Sequence, residues 1–111
     1  MAGVVYVPWY ATFFRGDRLE QALEEIAPVA LRYGARDYEI LRSQQDNYKF
    51  MHFSMWERKA DFEAYWYGTE FKRWRADYSS WYQVLIVPEW TDRIMRDEAG
   101  RVKQPVEGDA A

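Results

Sequence analysis

Residues Val4 to Phe14 read VVYVPWYATFF, a run almost without polar side chains. Its β-branched and aromatic residues suit a pleated surface, and it is far too short for a bilayer span, so a buried strand is predicted. Successive strand residues point to opposite faces. Val5, Val7, Trp9, Ala11 and Phe13 fall on one side, and Val4, Tyr6, Pro8, Tyr10 and Phe14 on the other. A sheet with one wet face alternates apolar with polar residues, and this strand does not. Both of its faces need a cover.

Downstream, Leu19, Ala22, Leu23, Ile26, Ala27, Ala30 and Leu31 recur at helical spacing until Gly34. Asp17 three residues ahead of Glu20 has the pattern of a capping box, and Gly34 that of a C-terminal stop. Pro28 removes a backbone donor inside the run, which predicts a kink toward Glu24. Between Arg36 and Trp56, two extended stretches flank Gln44, Gln45, Asp46 and Asn47, the pattern of a hairpin. Lys59 to Tyr78 is helical in texture and interrupted at Gly68 and Thr69, with Thr69 placed to cap the second part. Residues 81–90 (WYQVLIVPEW) are the last predicted strand, and Pro88 assigns it to an edge or a bulge.

The order β-α-β-β-α-β is ferredoxin-like: an α+β fold in which two helices cover one face of a four-stranded antiparallel sheet. One domain over residues 1–96 is expected, with residues 97–111 a mobile tail poor in large apolar side chains. The last strand repeats the two-faced pattern, Val84 and Ile86 against Leu85 and Val87. A sheet-to-sheet homodimer is the economical way to cover the second face.

Composition narrows the chemistry. The 111 residues contain no cysteine and one histidine, which excludes disulfides, thiolate metal sites and zinc sites built on several imidazoles. A net charge of −3 offers no general attraction for phosphate backbones. The RNA-recognition fold shares this element order, but Lys49, Phe50, Met51, His52, Phe53 lacks the glycine its third strand carries, so no nucleic-acid partner is expected. No apolar run is long enough to cross a membrane, and no secretory leader pattern opens the chain. A cytoplasmic protein without membrane association is expected.

The element order, the two-faced strands and the text FEAYWYGTEFKRW (Phe62 to Trp74), preceded by Met55, Trp56 and Glu57, resemble the dimeric α/β barrel superfamily, and within it the antibiotic-biosynthesis-monooxygenase-type proteins. The resemblance spans residues 4–94. It implies two sheets facing each other across a barrel, and in each subunit a small cavity between sheet and helices that takes aromatic polyketides, quinones or haem. In the haem-degrading branch, aligning on Phe71 and Lys72 puts Arg75 at the iron-ligand position and Tyr65 at the tryptophan position, with Trp66 one residue away. A protonated guanidinium cannot ligate iron, and the first strand lacks that branch's asparagine. The polyketide-oxidising branch implies no metal or prosthetic group; there an anion formed by deprotonating the substrate itself reduces dioxygen.

His52 is the first candidate for that chemistry. Pairing the hairpin across residues 44–47 puts Glu39, Leu41 and Ser43 on its face, with Tyr38, Ile40, Met51, Phe53 and Met55 on a core face. Glu39 and His52 can then meet, the carboxylate orienting an imidazole base; a plain polar contact inside the barrel or with a partner chain is the alternative. Tyr65, Trp66, Trp74, Tyr78 and Trp81 either line a flat aromatic pocket or form core. Lys72, Arg73 and Arg75 either hold a substrate carboxylate or enolate, or belong to a solvated helix face near Glu70 and Asp77. The leading expectation is a homodimeric, cofactor-free monooxygenase of a small aromatic molecule; the rival is a ligand-binding or structural barrel without catalysis.

Overall fold

A computed structural model describes residues 2–100. Strand β1 (Gly3–Tyr10) is followed by helix α1 (Gly16–Ile26), a 3-10 segment (Ala27–Tyr33), β2 (Asp37–Arg42), β3 (Lys49–Trp56), α2 (Lys59–Trp66), α3 (Thr69–Asp77) and β4 (Glu89–Thr91). The strands form one antiparallel sheet in the order β2-β3-β1-β4. The α+β, ferredoxin-like expectation is met. The expected tail falls partly on residues 101–111, which lie outside the described residues.

Helix α1 starts earlier than its sequence suggests. Arg15 is the N-cap and no side chain caps the helix. Asp17 therefore sits inside the first turn, and its carboxylate joins that of Glu20 on the Arg42 guanidinium at 2.9 and 2.8 Å. Pro28 ends the α-helix instead of kinking it. The chain leaves Ile26 as a 3-10 segment with Pro28 in its first turn, where the missing donor is tolerated. Gly34, at φ +112°, closes that segment, with Gly34 N–H donating to Leu31 O and Ala35 N–H to Ala30 O, a Schellman pair. The break at Gly68 is present, but Gly68 itself is the N-cap of α3 and Thr69 makes no cap bond.

The predicted last strand is much shorter than ten residues. Tyr82 bridges to Ala11, pairing resumes at Glu89 opposite Tyr6, and residues 84–88 leave the sheet. Pro8 explains the gap. Tyr10 O accepts from Gln83 N–H, so Tyr10 faces the last strand, and so does Pro8 two residues earlier, where a donor is missing. Six residues, 83–88, then span the four residues Val7 to Tyr10.

The helices cover Val5, Val7, Trp9, Ala11, Phe50, His52, Ser54 and Trp56, all buried. The other face carries Tyr6 stacked on Phe53, ring centres 5.1 Å apart, with Met51, Met55 and the exposed Leu41 and Tyr10 around them. The centre of that face is apolar, with Asp37, Glu39, Lys49 and Glu89 toward its margins, and no helix covers it within the described residues.

Candidate functional site

The hairpin register decides which side chains meet. Ile40 lies opposite His52 and Tyr38 opposite Ser54, while Glu39 lies opposite Phe53. The expected Glu39–His52 dyad is therefore not formed: the two side chains stand on opposite faces of the sheet. Likewise Met51, Phe53 and Met55 do not share a face with Tyr38 and Ile40. The cause is the turn. Asp46 Oδ1 accepts from Tyr48 N–H at 3.0 Å, and Ser43 N–H donates to Lys49 O, so Tyr48 joins the loop and five residues, not four, separate the ladder. One residue of slip exchanges the faces. Glu39 instead borders a concavity of about 540 Å³ on the open face, with Arg93 and Arg96.

His52 is in the core, 2% exposed. The Trp9 indole Nε1–H donates to its Nδ1 at 3.3 Å, which leaves the imidazole proton on Nε2, a buried atom with no partner among the described residues. Burial pulls its pKa down to about 4. At neutral pH the ring is uncharged, its basic nitrogen is occupied and its free N–H is a donor. That arrangement does not suit a general base.

The aromatic side chains singled out in the sequence mostly form core. Tyr65 donates to Ile26 O at 2.8 Å and Trp74 Nε1–H to Ala22 O at 2.7 Å, fixing both rings against the α1 region. Trp66, Phe71 and Trp74 surround Trp9 at ring separations of 5.3 to 6.4 Å. Burial raises the Tyr65 phenol above its ordinary value, with the Glu70 charge adding to it. Tyr78 is at the surface, its hydroxyl donating to Glu25 Oε1 at 2.8 Å. Arg75 is half-buried over the Trp66 ring, 4.2 Å from its centre, and donates to Trp66 O. Its Nη1 is buried without a partner, and burial lowers its pKa. The space between sheet and helices is thus filled by rings.

One concavity on the helix-covered side opens at its β2 edge. Glu20, Glu24, Ala27 and Pro28 form one wall, and Tyr38, Ile40, Arg42 and Phe50 the other, around about 410 Å³. This is within the usual range of small-molecule sites, roughly 300–1,000 Å³. Arg42 closes one end: its guanidinium lies 5.0 Å over the Phe50 ring, binds Asp17 and Glu20, and donates to Asn47 O. Burial opposes its charge, but the two carboxylates outweigh that and raise its pKa. Glu24, one helical turn beyond Glu20, is exposed on the same wall. Sequence reasoning missed this groove because it needs the five-residue loop; the signal was the Asp46 side chain, which favours a local turn two residues on.

The fold matches PA3566 from Pseudomonas aeruginosa with a TM-score of 0.74 at 16% identity, over 85% of this chain and 95% of that one. It matches Rv0793 from Mycobacterium tuberculosis with a TM-score of 0.72 at 13% identity, over 89% and 99%. It also matches SnoaB, a cofactor-independent oxygenase from Streptomyces nogalater, with a TM-score of 0.70 at 12% identity, over 85% and 95%. At these identities the likeness is one of fold. No curated protein matches the sequence. Residues 15–77, more than half of the chain, match the family model for antibiotic biosynthesis monooxygenase. By that match, the chain belongs to the antibiotic biosynthesis monooxygenase family.

Proposed function

We propose that this protein is a homodimeric, cofactor-free monooxygenase that takes a small aromatic polyketide-like or quinone-like molecule in the groove between α1 and β2. The observation that carries this reading is the groove itself: the Tyr38 ring, an apolar floor at Ile40 and Pro28 with Ala27 and Phe50 buried beneath it, and an exposed carboxylate, Glu24, that among the described residues has no hydrogen bond or ion pair to another side chain. A flat apolar ligand would lie against Tyr38 and Ile40, and Glu24 would accept a proton from its hydroxyl or activated carbon. The resulting anion is electron-rich enough to reduce dioxygen directly, the chemistry the family resemblance implies. The fold's similarity to SnoaB, a cofactor-independent oxygenase, supports the same reading. The open face with Tyr6, Phe53, Met51 and Met55 supports a second copy as partner.

A second reading, a ligand-binding dimer without catalysis, draws support from the ring-filled interior and from the occupied basic nitrogen of His52. One experiment separates the two. Binding of anthrone-like and hydroquinone compounds is followed by tryptophan fluorescence, and oxygen uptake by electrode, in the parent and in Glu24→Gln. A general base contributes about 10²–10⁴-fold, so uptake should fall in that range in the variant while binding persists. Binding without uptake in the parent selects the second reading; no binding overturns both.

A further inference from the structure

The aromatic cluster has a polarity that packing alone does not require. Ring donors in it whose hydrogen bonds are formed mostly end on neutral acceptors: Trp74 on Ala22 O, Tyr65 on Ile26 O, Tyr82 on Arg75 O and Trp56 on Ser54 Oγ. Two end on basic groups instead. Trp9 donates to the Nδ1 of His52, and Tyr78 donates to the carboxylate of Glu25. One is in the core and the other at the surface, and a single ring joins them. Trp74 lies 5.3 Å from Trp9 and 5.5 Å from Tyr78, centre to centre.

We propose that Trp9, Trp74 and Tyr78 form a path along which a single oxidising equivalent leaves the core, with a proton acceptor fixed at each end. Indole and phenol are the side chains most readily oxidised by one electron when no thiol is present, and this chain has no cysteine. Oxidation makes the N–H or O–H strongly acidic, so a hydrogen-bonded base determines where the hole can rest. A one-electron oxidant, such as an oxygen-centred radical, takes an electron from Trp9, and the indole proton moves to Nδ1 of His52. Tyr78 then supplies an electron to Trp9 through Trp74 and passes its phenolic proton to Oε1 of Glu25, while His52 returns its proton to the indole. The net change is one electron lost by Tyr78 and one proton gained by Glu25. Trp74, whose proton faces a carbonyl that cannot keep it, carries the hole without holding it. This assigns His52 a role that its buried, donor-bound geometry permits, and it does not depend on the groove or its ligand.

Photoionisation of the tryptophans by a short ultraviolet pulse tests the path, because it ejects electrons from buried and exposed indoles alike; a dissolved scavenger captures the electrons. Transient absorption of the intact protein should show the tryptophanyl signal decaying as a tyrosyl signal grows, first order and independent of protein concentration. Tyr78→Phe should lose that growth although eight of the nine tyrosines remain. Glu25→Gln, a change at an exposed position, should lose it too. Trp74→Phe should interrupt it, with circular dichroism checking the fold. Because the Trp81 ring also lies 4.7 Å from Tyr78, the series is run in a Trp81→Phe background; absence of the tyrosyl growth in that background, or unchanged growth on adding Tyr78→Phe or Glu25→Gln to it, overturns the proposal, and these comparisons decide the matter even if Trp74→Phe does not fold.

Discussion

Trp9 and His52 are held together across 3.3 Å by an indole N–H donated to imidazole Nδ1, deep beneath the helices. The bond selects a neutral ring, and burial enforces it. An unfolded chain has an ordinary histidine near 6.5, whereas the folded one titrates at about 4. As pH falls below 6.5 the unfolded state gains a proton that the folded state refuses. Stability attributable to this group is therefore complete above pH 6.5 and lost progressively down to about pH 4, on the order of 3 kcal/mol in all. Urea unfolding at pH 7, 5.5 and 4.5 should show this slope, and His52→Gln should flatten it. An equal slope in the variant would assign the acid sensitivity to other groups.

The Arg42 clamp predicts unequal effects from its two carboxylates. The Asp17 side chain is 93% exposed, that of Glu20 47%. Solvent screens the first pair more. Asp17→Asn should change stability by less than about 0.5 kcal/mol, and Glu20→Gln by about 1 kcal/mol. Arg42→Leu should cost more than either, since it also removes the bond to Asn47 O and the contact with Phe50. Thermal melts at low and high salt check the ranking, and high salt should narrow it.

Gly34 closes the 3-10 segment at φ +112°, a conformation that side chains rarely adopt. A Cβ there would also meet Asp61 Oδ2 at 3.2 Å. Gly34→Ala should lower stability by about 1–2 kcal/mol, measured by chemical denaturation. A gain in stability would contradict the positive φ.

The uncovered sheet face predicts association. In dilute buffer the parent should sediment at twice the chain mass. Phe53→Glu puts a charge against Tyr6 at the centre of that face and should yield a folded monomer, with little change in circular dichroism. A monomeric parent would remove the homodimer from the proposed function.

Much of this architecture can be read from the residues. Apolar spacing around Leu19 to Ile26 gives α1, Gly34 gives the stop of the 3-10 segment that follows it, and the Gly68 break divides α2 from α3, because each depends on local backbone preference. Strand faces are harder. The position of His52 opposite Ile40 and not Glu39 depends on whether Tyr48 belongs to the loop or to β3, a difference of one residue that accompanies the bonds from Tyr48 N–H to Asp46 Oδ1 and from Ser43 N–H to Lys49 O. The groove was hidden for the same reason, since Ile40, Arg42 and Phe50 come together only in that register. The aromatic residues stand out in the sequence as a group, but their division into core and lining rests on three-dimensional packing. For residues 83–88, apolar composition suggested continuous pairing, while the missing donor was on another strand, at Pro8.

That proline also marks where the fold can change length. Pairing on either side of residues 83–88 is set independently, by Tyr82 on Ala11 and by Glu89 on Tyr6. Added segments there displace no ladder and, by loop-closure entropy, cost only about 0.6 kcal/mol per doubling. The position is a natural graft point for a reporter peptide or a longer specificity loop.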